Sequence, residues 1–191
     1  MILITGHPRS GTAYMSALFS ANGIDVGHEK MGRDGISTWM ACVAEPIEGY
    51  PFECPDVSNV AFDKVIYVLR DPIQAISSIA FTEGATDDFR AQYVTCYGSF
   101  LERAVLSYVG WIRLAKARFP EMQVVALEKS ELLPNINISF EDIRINSREH
   151  PFINEHDLYR MVSSDVWVQY EWIKRQWELL ITLEDGLYVD K

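Results

Sequence analysis

The sequence has few cysteines, and they are spaced too widely to pair locally. The three are Cys42, Cys54 and Cys96, and no Cys-x-x-Cys motif is present. This pattern argues against a zinc site and against a disulfide framework, so we expect buried free thiols. Such thiols fit a reducing compartment. Strand-like sequence from residue 2 onwards leaves no room for a signal peptide, so we expect a cytoplasmic protein.

Positive charge is also scarce. The chain carries 17 lysines and arginines against 27 aspartates and glutamates, a formal net charge of −10. A general nucleic-acid binder is therefore not expected, because phosphate backbones are bound by basic surfaces. The same balance disfavours a long polyanionic sugar as substrate and permits a neutral or amine-bearing small molecule. A single anionic cofactor remains compatible with it, since a local pocket can be positive on an acidic protein.

Long hydrophobic runs are absent as well. No apolar stretch approaches the roughly 20 residues of a membrane-spanning helix, so no membrane partner is expected. Hydrophobic residues nevertheless make up 48% of the 191 residues, which is enough for a sizeable core. We therefore predict one globular domain over residues 1–191.

Three short apolar runs predict the strands of a sheet. They cover residues 2–5, 64–69 and 123–127, and none shows the alternation of a half-exposed strand. A strand that is apolar on both faces is typical of a parallel sheet covered by helices. A further short strand is predicted at 24–26, and the charged, glycine-rich segment after it is predicted to be a loop.

Helical patterns lie between and after these runs. Asp71-Pro72 indicates a helix start, because Asp caps the first N–H groups and Pro fits the first turn. A long stretch of helical spacing indicates one helix, or two with a break near Gly98. The predicted helices cover 11–21, 36–44, 87–119 and 166–180, besides the one that begins at Pro72. The alternation predicts an α/β fold, a three-layer sandwich around a parallel sheet of about four or five strands with a P-loop-type phosphate site.

The first predicted loop has the glycine spacing of a phosphate-binding loop. In "GHPRSGTAYM", Gly6 and Gly11 form a Gly-x4-Gly frame between a strand and a helix. Such a frame turns backbone N–H groups toward an anion, and the helix N-terminus adds its positive end. A nucleotide triphosphatase would continue with Lys and then Ser or Thr, whereas this chain has Thr12 and Ala13. The cation, Arg9, lies inside the loop, which suits charge neutralisation by protein groups rather than by magnesium.

This loop resembles the 5′-phosphosulfate loop of sulfotransferases that use 3′-phosphoadenosine-5′-phosphosulfate (PAPS), in which Lys or Arg precedes Ser-Gly-Thr. The resemblance is to a short, bacterial or phage-like member of that family. It implies a metal-independent reaction that leaves 3′,5′-adenosine bisphosphate (PAP) as product. It also implies that the 5′-phosphate and sulfuryl group are held by Arg9, Ser10, Gly11, Thr12 and Ala13.

A second stretch, "VIYVLRDPIQAISS", is similar to the family's 3′-phosphate segment, a strand with an arginine at its end and a serine eight residues later. The resemblance assigns Arg70 and Ser78 to the 3′-phosphate, and Ser77 is the neighbouring alternative. Strand ends and the helices that follow them meet along one edge of a parallel sheet, where ligands bind. Arg70 also offers a planar fork of donors that suits phosphate oxygens.

The late part of the chain departs from the family. The family's cytosolic small-molecule branch has a glycine-rich, lysine-bearing loop that closes over the 3′-phosphate and adenine, and no such loop follows Pro134. The adenine site is therefore unassigned. The cations that could replace the missing lysine are Lys129, Arg144, Arg148 and Lys174.

Transfer to an alcohol or amine requires a base that takes the acceptor's proton. The segment "GHE" follows the strand predicted at 24–26, and it resembles the acidic segment that supplies the base in the tyrosyl-protein and some bacterial branches. By that comparison Glu29 is the base. His28 is the alternative, since other branches use histidine, whose ordinary pKa is about 6.5.

These features predict a PAPS-dependent sulfotransferase that acts on a hydroxyl or amine of a small acceptor by in-line displacement. Two other functions stay open. A P-loop nucleotide kinase would use Asp71 as a magnesium ligand, although Ala13 removes the partner hydroxyl. A non-catalytic protein of the same fold would bind the nucleotide without turnover.

Overall fold

A computed structural model of the chain describes residues 1–43, 57, 59–133, 149–183 and 187–188. Its strands are β1 (Ile2–Gly6), β2 (Val26–His28), β3 (Gly35–Ser37), β4 (Lys64–Leu69), β5 (Gln123–Ala126) and β6 (Leu187–Tyr188). Within the described residues these strands form one six-stranded sheet in the order β2-β3-β1-β4-β5-β6. The first five run parallel, and β6 pairs antiparallel with β5.

The described helices connect and cover these strands. They are α1 (Thr12–Ala21), α2 (Pro72–Thr82), α3 (Gly84–Arg90), α4 (Phe100–Arg118), α5 (Glu155–Met161) and α6 (Ser164–Thr182). Two short 3₁₀ segments follow β3 and β5, at Met40–Cys42 and Leu127–Leu132. None of these described helices combines the length and apolar character needed to cross a membrane.

The core lies on both faces of the sheet. On one face Ile4 and Val68 pack against Met15 and other residues of α1. On the opposite face Tyr67 packs in a larger cluster with α2, α4 and α6, which includes the fully buried Trp111. This arrangement confirms the predicted α/β sandwich around a parallel sheet, and β6 adds a short antiparallel edge.

The segment after α1 differs from the prediction. The strand predicted at 24–26 overlaps β2 only at Val26, and β2 continues into the predicted loop. The segment predicted as a loop and a helix contains β3. Three residues are too few to show a periodicity, which is why the pattern did not indicate β3. Gly35 allows the close pairing with β1, because a side chain there would collide with the carbonyl of Ile2. The helix predicted at 36–44 is wrong over its described part, where β3 is followed by a single 3₁₀ turn.

The long helical stretch is two helices, as one of the two alternatives predicted. Gly98 has a φ of 81°, a left-handed conformation that interrupts the helical path. The next residue, Ser99, caps α4 and forms a capping box with Glu102. These reciprocal bonds satisfy N–H groups at the start of α4 and so determine where it begins.

Helix α2 brings the end of the second motif toward the first. Asp71 caps it by accepting a hydrogen bond from the backbone N–H of Ile73 at 3.0 Å, and Pro72 occupies the first turn. The helix packs mainly on α4 rather than along the sheet. Its second half therefore lies near the loop after β1, where Ser78 reaches Arg9.

The described cysteines, Cys42 and Cys96, are free thiols, and Cys54 lies outside the described residues. Burial raises the pKa of the Cys42 thiol to about 12, so this thiol stays protonated and unreactive at neutral pH.

Candidate functional site

The two predicted phosphate segments meet at one edge of the sheet. They follow β1 and β4, which are adjacent parallel strands with Gly6 opposite Val68. The guanidinium of Arg70 donates from Nη1 to the backbone carbonyl of Arg9 at 3.4 Å. The two arginines thus lie on the same side of the sheet edge, in direct contact.

The loop after β1 is a compact turn. The backbone N–H of Ser10 donates to the carbonyl of His7 at 2.9 Å. Arg9 and Gly11 have φ values of 74° and 105°. Left-handed residues in such a turn make a concave row of backbone N–H groups, which is a common anion site. Arg9 is not a glycine, so its positive φ costs about 1 kcal/mol or more that the surrounding contacts must offset.

Gly11 is required at the start of α1. A side chain there would be strained by the positive φ and would meet Leu127 at 2.7 Å from its Cδ1. Gly11 caps α1 without a side-chain hydrogen bond. The first N–H groups of α1 are thus not capped by the Gly11 position, and they face the end of the loop with the positive end of the helix dipole.

Ser10 has an unsatisfied hydroxyl inside this loop. The residue is fully buried, and its Oγ has no hydrogen-bond partner within the described residues. A buried hydroxyl in that state costs about 1–3 kcal/mol. The hydroxyl lies beside Gly6, where an added Cβ would collide with it. A buried hydroxyl with no partner among the described residues, next to a helix start without a side-chain cap, is suited to a phosphate or sulfate oxygen.

The side chain of Arg9 joins the loop to α2. Its Nε donates to Ser78 Oγ at 3.0 Å. The same nitrogen lies 3.8 Å from Glu83 Oε1, and both side chains are 12% exposed. Sequence reasoning did not find Glu83, because nothing in the local pattern separates it from other acidic residues near a helix end.

Ser77 and Ser78 have different roles in the structure. The hydroxyl of Ser77 accepts a hydrogen bond from the backbone N–H of Ile153 at 3.1 Å and donates to Ile73 O at 2.8 Å. Ser77 therefore anchors the segment before α5. Of the two serines, Ser78 is the one that contacts Arg9.

The neighbouring part of the edge is formed by Thr12, Ala13 and the end of β3. Thr12 is buried, and its carbonyl accepts a hydrogen bond from Ser37 Oγ at 2.7 Å. Ala13 is half-buried on the first turn of α1. The end of β3 is thereby tied to the helix start that follows the phosphate loop.

Glu29 and His28 lie at the same edge, beyond β3. His28 ends β2 and Glu29 follows it. One strand separates β2 from β1, which places both residues roughly 10 Å from the loop in the plane of the sheet. Glu29 has a φ of 53°, and its Oε2 accepts a hydrogen bond from Thr38 Oγ1 at 2.5 Å. His28 Nε2 lies 3.6 Å from Glu29 Oε1.

Burial changes the proton affinity of both groups. It raises the pKa of Glu29, although the hydrogen bonds from Thr38 and from the backbone of Trp39 act in the opposite direction. Burial also lowers the pKa of His28. A carboxylate with a raised pKa is a stronger base, and a histidine with a lowered pKa is neutral near pH 7.

The cations named as substitutes for the missing lysine have structural partners where they are described. Lys174 binds Glu155 at 2.8 Å, and Lys129 donates to the carbonyl of Leu183 at 3.3 Å. Arg144 and Arg148 lie outside the described residues. No cluster of three or more His, Cys, Asp or Glu side chains suited to a metal ion occurs in the described part of the chain.

Asp71, the residue that a kinase would need as a magnesium ligand, is occupied in the structure. Its Oδ1 caps α2, and Gln74 Nε2 donates to its Oδ2 at 3.4 Å. Glu128 Oε1 in turn accepts the backbone N–H of Asp71 at 3.0 Å. This arrangement is that of a helix cap beside a second carboxylate.

No family model matches the chain, and neither a curated protein nor a solved structure matches it.

Proposed function

We propose that the protein is a PAPS-dependent sulfotransferase that transfers a sulfuryl group to a hydroxyl or amine of a small acceptor. The observation that carries the proposal is the contact between the two motifs. Arg9 donates to Ser78, and Arg70 donates to the carbonyl of Arg9. Two segments that each resemble one phosphate site of the same nucleotide are thus in direct contact, which supports the proposal.

The loop after β1 fits the 5′ end of PAPS. Ser10 offers a buried hydroxyl without a partner among the described residues, and Gly11 precedes a helix start without a side-chain cap. Thr12 and Ala13 would add their backbone N–H groups at the helix N-terminus. Arg9 supplies the charge that a magnesium ion supplies elsewhere, because Ala13 stands where a P-loop enzyme has its metal-binding hydroxyl.

Arg70 and Ser78 fit the 3′-phosphate. Arg70 is half-buried at the end of β4 and donates to Gln74 Oε1 at 3.1 Å, so its guanidinium is held at the sheet edge. Ser78 contributes a hydroxyl beside Arg9. The planar fork of donors on Arg70 suits the oxygens of a phosphate monoester, and the Ser78 hydroxyl would join it from its place beside Arg9.

Glu29 is the proposed base, and His28 is the alternative. PAPS would supply a sulfuryl group bonded to a phosphate leaving group. The acceptor's oxygen or nitrogen forms the new bond to sulfur while the sulfur–oxygen bond to phosphate breaks, and Glu29 takes the acceptor's proton. Its raised pKa favours that proton transfer, and the Thr38 hydroxyl fixes the carboxylate's orientation. Arg9 and the loop N–H groups stabilise the negative charge that stays on the phosphate.

We also propose a cytoplasmic location and acceptors that are small molecules rather than nucleic acids. The free thiols of Cys42 and Cys96 suit a reducing compartment. The net charge of −10 disfavours polyanionic acceptors.

Calorimetric titration with PAP in the presence of EDTA tests the proposal. We expect saturable binding by the parent chain and a loss of roughly 10- to 100-fold in affinity for Arg70→Gln, because a charged hydrogen bond to phosphate is worth about 1.5–3 kcal/mol. Arg33→Gln is the matched control, since Arg33 pairs with Asp34 at 2.7 Å on the surface. Binding of ATP that depends on magnesium, with no binding of PAP, would instead identify a nucleotide kinase.

Turnover is tested separately with labelled PAPS and a panel of small alcohols, phenols and amines. Transfer of label to an acceptor supports the sulfotransferase. Binding of PAP without transfer to any acceptor, with PAPS left intact, would support the non-catalytic nucleotide-binding protein.

A further inference from the structure

Two consecutive residues of α4 contact the two phosphate segments separately. Ser107 Oγ lies 2.8 Å from Nε2 of His7, a residue of the loop after β1. The hydroxyl of Tyr108 bonds to the backbone of Arg70 at the end of β4. Both α4 residues are buried, so these contacts are sheltered from water. Neither residue belongs to a motif that the sequence singled out.

The direction of each hydrogen bond around His7 follows from chemistry. Nδ1 lies 2.7 Å from the carbonyl of Pro8, which can only accept, so Nδ1 carries the hydrogen. Arg90 Nε donates to Ser107 Oγ at 2.8 Å. Because the hydrogen of the neutral ring is on Nδ1, Nε2 can only accept, and the Ser107 hydroxyl is its donor. The ring is fully buried, and burial together with the nearby Arg90 charge lowers the pKa of His7. His7 is therefore neutral and in a single tautomer.

These bonds occupy the carbonyl groups of the loop. The His7 carbonyl accepts from the N–H of Ser10 at 2.9 Å, and the Pro8 carbonyl accepts from the His7 ring. Two oxygens that would repel an anion are thereby held by internal donors. The chain Arg90, Ser107, His7 thus fixes the conformation of the loop, because it holds the His7 ring against the Pro8 carbonyl.

Tyr108 fixes the other segment in a similar way. Its hydroxyl accepts from the backbone N–H of Arg70 at 3.1 Å and donates to the Arg70 carbonyl at 2.8 Å. The phenol thus satisfies both peptide groups of one residue at the point where β4 ends. It determines the backbone position from which the Arg70 side chain reaches the carbonyl of Arg9.

We propose that Ser107 and Tyr108 are positioning residues that set the separation of the two phosphate segments, with Ser107 acting through His7 on the 5′ segment and Tyr108 acting on the 3′ segment. This inference rests on the proposed function, because it assigns the two segments to the two ends of one nucleotide. Ser107 and Tyr108 are adjacent on α4, so this helix holds both segments at a fixed distance from each other.

Ligand selectivity tests the proposal more sharply than affinity alone. Calorimetry compares PAP, which has both phosphates, with 5′-AMP, which lacks the 3′-phosphate. For Tyr108→Phe we expect PAP to bind about five- to tenfold more weakly and 5′-AMP to bind within about twofold of the parent, because one or two hydrogen bonds are lost at the 3′ segment only. For Ser107→Ala we expect both ligands to bind about two- to tenfold more weakly and by the same factor, because a hydrogen bond that positions the 5′ segment is lost.

Tyr97→Phe is the matched control. It removes a tyrosine hydroxyl that donates to Asp165 Oδ2 at 2.5 Å, on the surface near the start of α6. It is expected to leave both affinities unchanged. Thermal unfolding of each variant identifies any that does not fold. If Tyr108→Phe does not fold, the proposal is tested by Ser107→Ala and by a ¹H–¹⁵N spectrum of the His7 ring in the parent.

The outcomes separate this inference from the proposed function. If the parent binds PAP no more tightly than 5′-AMP, the assignment of Arg70 to a 3′-phosphate is wrong and the inference fails with it. If the parent discriminates but Tyr108→Phe keeps the same ratio of affinities, the nucleotide site stands and the positioning role is wrong. A long-range ¹H–¹⁵N spectrum that shows the proton of His7 on Nε2 would overturn the role of Ser107, and one that shows it on Nδ1 supports it.

Discussion

Glu83 lies beside the cation that we assign to the 5′ end of the nucleotide, and it should weaken binding. Its Oε1 is 3.8 Å from Arg9 Nε, and both side chains are 12% exposed. At an effective dielectric constant of about 20, the attraction between two unit charges at that distance is about 4 kcal/mol. A ligand anion that binds the same guanidinium must compete with this carboxylate and is repelled by it.

We therefore expect Glu83→Gln to bind PAP more tightly. An anion on the far side of the guanidinium would lie roughly 6 Å from the carboxylate, where the repulsion is about 1–3 kcal/mol for effective dielectric constants between about 20 and 40. The affinity should rise by roughly 5- to 100-fold. Glutamine has nearly the shape of glutamate, so Thr86, which donates to Glu83 Oε2 at 3.2 Å, keeps an oxygen acceptor.

Calorimetric titration with PAP measures the change, and Glu178→Gln is the control. Glu178 makes the same type of contact at the same distance, 3.8 Å, with Lys174 on α6, and its substitution alters the net charge equally. An affinity gain in both variants would reflect net charge alone. An unchanged or weaker affinity in Glu83→Gln would refute the assignment of Arg9 to an anion site.

Four further predictions concern the base and the hydroxyls. Glu29→Gln should lower turnover by roughly 100- to 10,000-fold with PAP affinity unchanged. Burial raises the pKa of Glu29, so the folded chain binds more protons than the unfolded chain at a pH between the ordinary and the raised pKa. The parent therefore loses stability as the pH rises through that range. Above it, Glu29→Gln should have a larger free energy of unfolding in urea than the parent. Ser10→Ala should weaken PAP binding without loss of folding stability, since its hydroxyl has no described partner to lose; a clear drop in melting temperature would contradict this. Ser77→Ala should cost about 1–3 kcal/mol of stability, whereas Ser78→Ala should chiefly cost PAP affinity, and a reversed pattern would exchange their roles.

The sheet and the main helices were predictable because their signals are local. β1 and β4 are apolar on both faces, and Asp71-Pro72 marks the start of α2 by its capping chemistry. β3 was not predictable, because it has three residues and depends on the close approach of Gly35 to β1. Its hydrogen bonds come from a strand far away in the chain, which a window of neighbouring residues does not contain.

Some residues of the candidate site were likewise predictable from local sequence, and others were not. Arg9 and Arg70 stand in motifs that can be read from the chain, and the parallel sheet explains why they meet at one edge. Packing places three further residues at the site: Glu83, Ser107 and Tyr108. The course of α2 and α4 decides which residues of these helices, and of the segment after α2, face the loops. Serine, tyrosine and glutamate are common residues, and their spacing alone does not select these three.

The central claim is that one nucleotide is bound at both ends. Arg9 and Ser10 bind one end, and Arg70 and Ser78 bind the other. A crystal structure of the complex with PAP tests it most directly. We predict the 5′-phosphate within hydrogen-bond distance of the loop after β1 and the 3′-phosphate within hydrogen-bond distance of Arg70. A PAP molecule bound with neither phosphate in contact with these residues would contradict the claim.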